Sequence, residues 1–95
     1  MTEVRAGVDA LDEQIVALVA KRFQFMDAAA RIKQTRKQIR DEVRKAAILE
    51  RVGLSAANAG APADLIVRLY DGLIETSISY ELAKFDRRLS HEGPD

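Results

Sequence analysis

The chain has 95 residues, with 15 Lys+Arg against 15 Asp+Glu, a formal net charge of zero and no cysteine. That length holds one domain, read as residues 1–90 with a flexible tail at 91–95, and it excludes any added regulatory domain. The neutral balance excludes the basic footprint of a dedicated nucleic-acid binder, and without cysteine neither a disulfide framework nor a thiolate metal site forms. The N-terminal stretch MTEVRAGVDALDEQ is too charged for a signal peptide, and no apolar run approaches the roughly 18 residues of a membrane span. A cytoplasmic protein that touches no membrane is expected.

Few aromatics, no Trp, and many Ala, Leu, Ile, Glu, Lys and Arg predict an all-α fold. Helix 1 shows apolar residues at Val4, Val8, Leu11, Ile15, Leu18, Phe25, Ala29 and Ile32, in alternating steps of three and four with a gap at position 22. With no Gly or Pro between Val8 and Val52, this helix should run to about Lys37, or roughly 50 Å. A compact domain of this size has a radius of gyration of only about 12 Å, so the free half of so long a helix is expected to pack on a second copy of the chain. A polar hinge over Arg36–Arg40 leads to a short helix 2, marked by Val43, Ala47, Ile48 and Val52, that Gly53 should end. The loop Ser55–Pro62 precedes a long helix 3 whose apolar stripe runs from Leu65 and Ile66 through Tyr70, Leu73 and Ile74 to Ile78, ending about Arg88.

Charged residues that interrupt these stripes carry the functional signal. Arg22 fills the seam slot between Leu18 and Phe25, where a buried guanidinium costs several kcal/mol unless something negative meets it. Lys33 follows eleven residues later, about 20° round the helix and roughly 16 Å along it, so the two side chains can clasp one small anion. On helix 3, Ser77 and Glu81 continue the apolar stripe and aim a hydroxyl and a carboxyl at the core. Arg5 lies about 25 Å from Arg22 and some 100° round, out of reach of the same ligand, but an antiparallel dimer would bring it to the partner's site.

A purely structural alternative pairs Arg22 with Glu81. A helical interaction module, binding nucleic acid or an acidic partner through Arg36, Lys37 and Arg40, is the non-enzyme alternative. No Gly-rich phosphate loop, metal-ligand spacing or nucleophilic triad is present, and the lone His91 sits in the polar tail.

Arg5, the segment LDEQIVALVAKR ending at Arg22, Lys33, RDEVR from Arg40 to Arg44, and LIETSISYE on helix 3 together resemble the all-helical AroQ-type chorismate mutases, over about Arg5 to Phe85. The resemblance implies an intertwined homodimer of three-helix subunits. Its implied activity is the rearrangement of chorismate to prephenate in aromatic amino acid biosynthesis, with no cofactor. By position it implies that Arg22 and the other subunit's Arg5 bind the substrate carboxylates with help from Ser77. Lys33 and Glu81 would serve the ether oxygen, and Asp41 the hydroxyl end. Some short members act with a partner enzyme of aromatic biosynthesis.

Two positions depart from that pattern. Glu81 stands where Gln is common, so it should act only when protonated and donating a hydrogen bond. Lys45 stands where many members place a Glu near the substrate hydroxyl. Asp41 or Glu42 could supply the lost carboxylate, or Lys45 could pair with Glu81. Lys45 could also mark a relative that acts on isochorismate, eliminating pyruvate to give salicylate, or on an amino-substituted chorismate.

Overall fold

A computed structural model describes residues 1–92; of His91 and Glu92 it describes the backbone alone. The chain is all-α, with no strand among the described residues. The elements are α1 (Thr2–Ile32), the single turn α2 (Arg36–Ile39), α3 (Glu42–Asn58) and α4 (Ala63–Glu92). The three expected helices are α1, α3 and α4. Residues 93–95 of the expected tail, and the side chain of His91, lie outside the described residues.

The first helix stops five residues short of Lys37, although no Gly or Pro stops it. Thr35 adopts an extended backbone (φ −135, ψ 155), the conformation its β-branched side chain favours. The Gln38 side chain then accepts from the backbone N–H groups of Gln34 (2.6 Å) and Thr35 (3.2 Å), replacing the ladder bonds that a continued helix would have supplied. This turn lets Ile39 drop into the core, where it packs with Ile74, Ile78 and Phe85.

Gly53 does not end α3, which runs on to Asn58. A glycine in a helix costs only about 1 kcal/mol, and the following Ala56 and Ala57 are strong helix formers. The stop comes at Gly60, whose φ of 76 is the only positive value among the described residues. Ala61 N–H bonds the Ala56 carbonyl (2.9 Å) and Gly60 N–H the Ala57 carbonyl (3.1 Å), closing the helix in a Schellman turn. The loop is therefore residues 59–62, shorter than Ser55–Pro62.

The α1 seam does not face its own chain. Leu18, Phe25 and Ile32 are 64%, 71% and 76% exposed, while Ala30 is buried. The face that meets α4 is the neighbouring stripe of Phe23, Met26 and Ala30, with the Phe23 ring edge-on to Tyr80 at 4.7 Å. Residues Thr2–Leu18 of α1 are exposed throughout, and the molecule extends over 59 × 29 × 15 Å with a radius of gyration of 16.7 Å.

The two glycines of this corner make opposite predictions. Gly53→Ala should stabilise the chain by up to about 1 kcal/mol, because the added methyl meets only Val67 Cγ2 at an ordinary 3.4 Å. Gly60→Ala should cost about 1 kcal/mol or more, because an L side chain is strained at positive φ. Urea unfolding of the two variants beside wild type measures both.

Candidate active site

Where α1, α2, α3 and α4 converge, the structure leaves a cavity of about 310 Å³. Its apolar wall is made by Met26, Ile39, Ile48, Ile74 and Ile78, side chains that the helix periods and the α2 turn direct inward. Set into this wall are Arg22 and Lys33 from α1, Asp41, Arg44 and Lys45 from the start of α3, and Ser77 and Glu81 from α4. Four cations stand against two carboxylates. An apolar pocket with a few convergent charges, most of them cationic, suits a small organic anion.

Ser77 and Glu81 are 3% and 2% exposed, the two buried polar side chains among the described residues. Each is met by a cation from α1. Arg22 donates to Ser77 Oγ at 2.6 Å, and the hydroxyl in turn donates a hydrogen bond to the Leu73 carbonyl at 2.7 Å, one turn back. The Arg22 guanidinium also lies over the Tyr70 ring, 5.6 Å from its centre. Lys33 Nζ lies 2.9 Å from Glu81 Oε1, an ion pair whose carboxylate end is buried and whose ammonium end is partly open. The structural alternative of an Arg22 pair with Glu81 is therefore not what forms. Lys33 takes that carboxylate from the C-cap of α1, where its φ of −66 still matches the helix while its ψ of 142 turns the following chain away.

Asp41 caps α3, accepting from the Arg44 backbone N–H at 2.9 Å, which anchors one of its oxygens at the rim. Lys45 does not pair with Glu81. Its ammonium is held between Asp71 and Glu75, 2.9 Å from each, in a network that Arg40 extends through its own bond to Glu75 at 2.7 Å. Hydrogen bonds that its ammonium donates to Glu75 and then Asp71 raise the Lys45 pKa, so it stays charged. Arg40 and Lys45, donating to Glu75, lower that carboxyl to about 2.

Of the seven residues singled out from the sequence, Arg22, Lys33, Asp41, Lys45, Ser77 and Glu81 line the cavity. Arg5 does not; it lies on the exposed half of α1. Arg44 and Gln38 also line the cavity and were not singled out. The signal for Arg44 was available, since Asp41 as an N-cap places the residue three positions on beside it. For Gln38 the local cue was Thr35, three residues before a Gln at the start of a short helix. Arg36 pairs with Asp86, and Arg40 with Glu42 and Glu75, so two of the three cations that a nucleic-acid surface would need are matched by acids of the same chain.

Glu75 links the rim to acid stability. Its carboxyl titrates near 4.5 when unfolded and near 2 when folded, so its contribution is full above about 4.5 and is lost as pH falls through about 2. The stability gap between wild type and Glu75→Gln should therefore narrow steadily between those pH values, as read by urea unfolding at a series of pH.

Among the described residues no helix is long and apolar enough to cross a membrane. No curated protein matches the chain. The family model for chorismate mutase type II does match, over residues 4–82, a span that contains every residue lining the cavity. The chain therefore belongs to the chorismate mutase type II family.

Proposed function

We propose that the protein is a chorismate mutase, an isomerase converting chorismate to prephenate by a Claisen rearrangement. The observation that carries this reading is the pairing of Lys33 and Arg22 with two buried polar residues, Glu81 and Ser77, along one wall of an otherwise apolar cavity. The reaction is pericyclic: one C–O bond breaks as one C–C bond forms, and no nucleophile, metal or obligatory proton transfer is needed. What the protein must supply is a folded substrate and stabilisation of the charge that builds on the ether oxygen.

In this reading Arg22 grips a substrate carboxylate through its planar fork, with Ser77 fixing the guanidinium. Lys33 donates to the ether oxygen, where charge grows only in the transition state. Glu81 holds the Lys33 ammonium beside that oxygen through their ion pair at 2.9 Å. Asp41 receives the substrate hydroxyl, and the apolar wall excludes water and strengthens each of these interactions.

The second carboxylate is assigned to Arg5 of another copy of the chain, and the exposed α1 seam supports this. Val8, Leu11 and Ile15 are 49%, 56% and 56% exposed, a contiguous apolar stripe that pairing of α1 with a second α1 would bury. A homodimer with the long helices antiparallel puts each Arg5 near the other chain's cavity.

Lys45 favours a second reading for the substrate. An ammonium held by Asp71 and Glu75 stands at the rim beside Asp41, so the hydroxyl end of the pocket carries a cation. This supports isochorismate, cleaved to salicylate and pyruvate, as the alternative substrate.

Assay by loss of chorismate absorbance, with the product identified and isochorismate run in parallel, separates these readings. Lys33→Ala and Arg22→Ala should each lower kcat/KM by about 10²-fold or more. The dimer has its own test: mixing inactive Arg5→Ala and Arg22→Ala chains should restore about a quarter of wild-type activity, since heterodimers regain one intact site.

A further inference from the structure

We propose that Arg88 is a positioning residue for Lys33, holding from α4 the backbone on which the ammonium is placed. The inference rests on the role given to Lys33 above, and it concerns a part of α4 beyond residue 82, where the match to the family model ends.

Lys33 sits at the end of α1, where helix bonds no longer fix its backbone. Its N–H still reaches the Ala29 carbonyl at 2.9 Å, but the carbonyls of the last turn have no partner within the helix. Arg88 supplies one. One arm of its guanidinium donates to the Arg31 carbonyl, and the other to the Lys33 carbonyl at 3.1 Å. The fork thus ties together the carbonyls on either side of Ile32, at the point where the chain leaves the helix.

The fork is itself held in place. Its guanidinium lies over the Phe85 ring, 5.1 Å from the centre, and Phe85 is the most buried large side chain of the core at 2% exposure. Two residues before Arg88, Asp86 pairs with Arg36 at the start of α2. One turn of α4 therefore grips the segment between α1 and α2 at both ends.

Lys33 depends on such a grip more than Arg22 does. Arg22 lies within α1, ten residues before its end, and its backbone is fixed by the helix. The Lys33 side chain is 30% exposed, and a modest rotation of its φ, which turns the carbonyl and the side chain together about the N–Cα bond, would swing the ammonium from Glu81 into water. A misplacement of about 1 Å costs on the order of 10²-fold in rate. An arginine is required because a lysine, a single point donor, cannot bridge two carbonyls with fixed geometry.

The test compares full-length Arg88→Lys with Asp86→Asn, which loosens the same segment without touching Lys33. Three readouts are needed: kcat and KM with chorismate, thermal melting, and the Lys33 Nζ NMR signal of ligand-free ¹⁵N-lysine protein, assigned by its loss in Lys33→Ala. Arg88→Lys should shift the Lys33 signal and lower kcat by about 10- to 100-fold while KM stays within about threefold. Asp86→Asn should leave the signal in place and kcat within about twofold. An unmoved Lys33 signal, a retained kcat, or an Arg88→Lys chain that does not fold would overturn the proposal. If wild type turns over neither chorismate nor isochorismate, the enzymatic reading fails, and the Lys33 signal alone decides whether Arg88 positions it.

Discussion

Glu81 is a carboxyl placed in the middle of a helix–helix contact, and the arrangement of the chain around the cavity follows from meeting it. An unmatched carboxylate at 2% exposure would shift its protonation or unfold its surroundings, so a cation must reach it from a facing element. Lys33 does so at 2.9 Å from the far end of α1. α1 ends at Ile32, next to that contact, and the chain turns there. The turn in turn creates α2, sends Ile39 into the core, and starts α3 at a capping Asp41 on the cavity rim. A straight α1 would have none of these.

Such pairing is a poor source of stability, since desolvation of the two groups offsets most of their attraction. Its value is positional. An apolar cavity of about 310 Å³ with charges at fixed points is what a unimolecular rearrangement asks for, where rate comes from holding one conformer and from donors already aimed at the developing charge. The second polar pair, Arg22 with Ser77, repeats the logic one turn along α4: the hydroxyl is satisfied by the Leu73 carbonyl and so presents a lone pair to the guanidinium. Both pairs leave cationic donors facing the cavity, ready to exchange an internal partner for a ligand oxygen.

The sequence made much of this legible because a charge on an apolar stripe is conspicuous. Arg22, Ser77 and Glu81 each broke a helical pattern and, with Lys33, line one cavity; Asp41 and Lys45, which line it too, were indicated by the family resemblance rather than by the pattern. Spacing alone failed to predict which carboxylate each cation meets, since that depends on the backbone beyond Ile32. The hinge itself was hidden because its stop signal is a side-chain bond from Gln38 rather than a Gly or Pro. Gly53 misled for the opposite reason, being a helix residue with no positive φ, while Gly60 does the terminating. The partners of Lys45 lay on α4 at Asp71 and Glu75, thirty residues away in the case of Glu75, and no local pattern points to them.

The α1 seam shows how a correct period can lead to a wrong face. Steps of three and four identify an apolar stripe, but not what covers it, and α1 carries two stripes about 100° apart. Phe23, Met26 and Ala30 serve α4, while Leu18, Phe25 and Ile32 remain exposed along with Val4, Val8, Leu11 and Ile15. Arg22 lies at the boundary between the stripes, which is why it read as an error in the outer one while its guanidinium serves the inner. A chain with a radius of gyration of 16.7 Å, against about 12 Å for a compact domain, has thus divided its longest helix between two tasks. One face builds the cavity within the chain. The other is apolar apart from Arg22, and it adjoins Arg5, the one residue of the seven singled out that the cavity of its own chain does not reach.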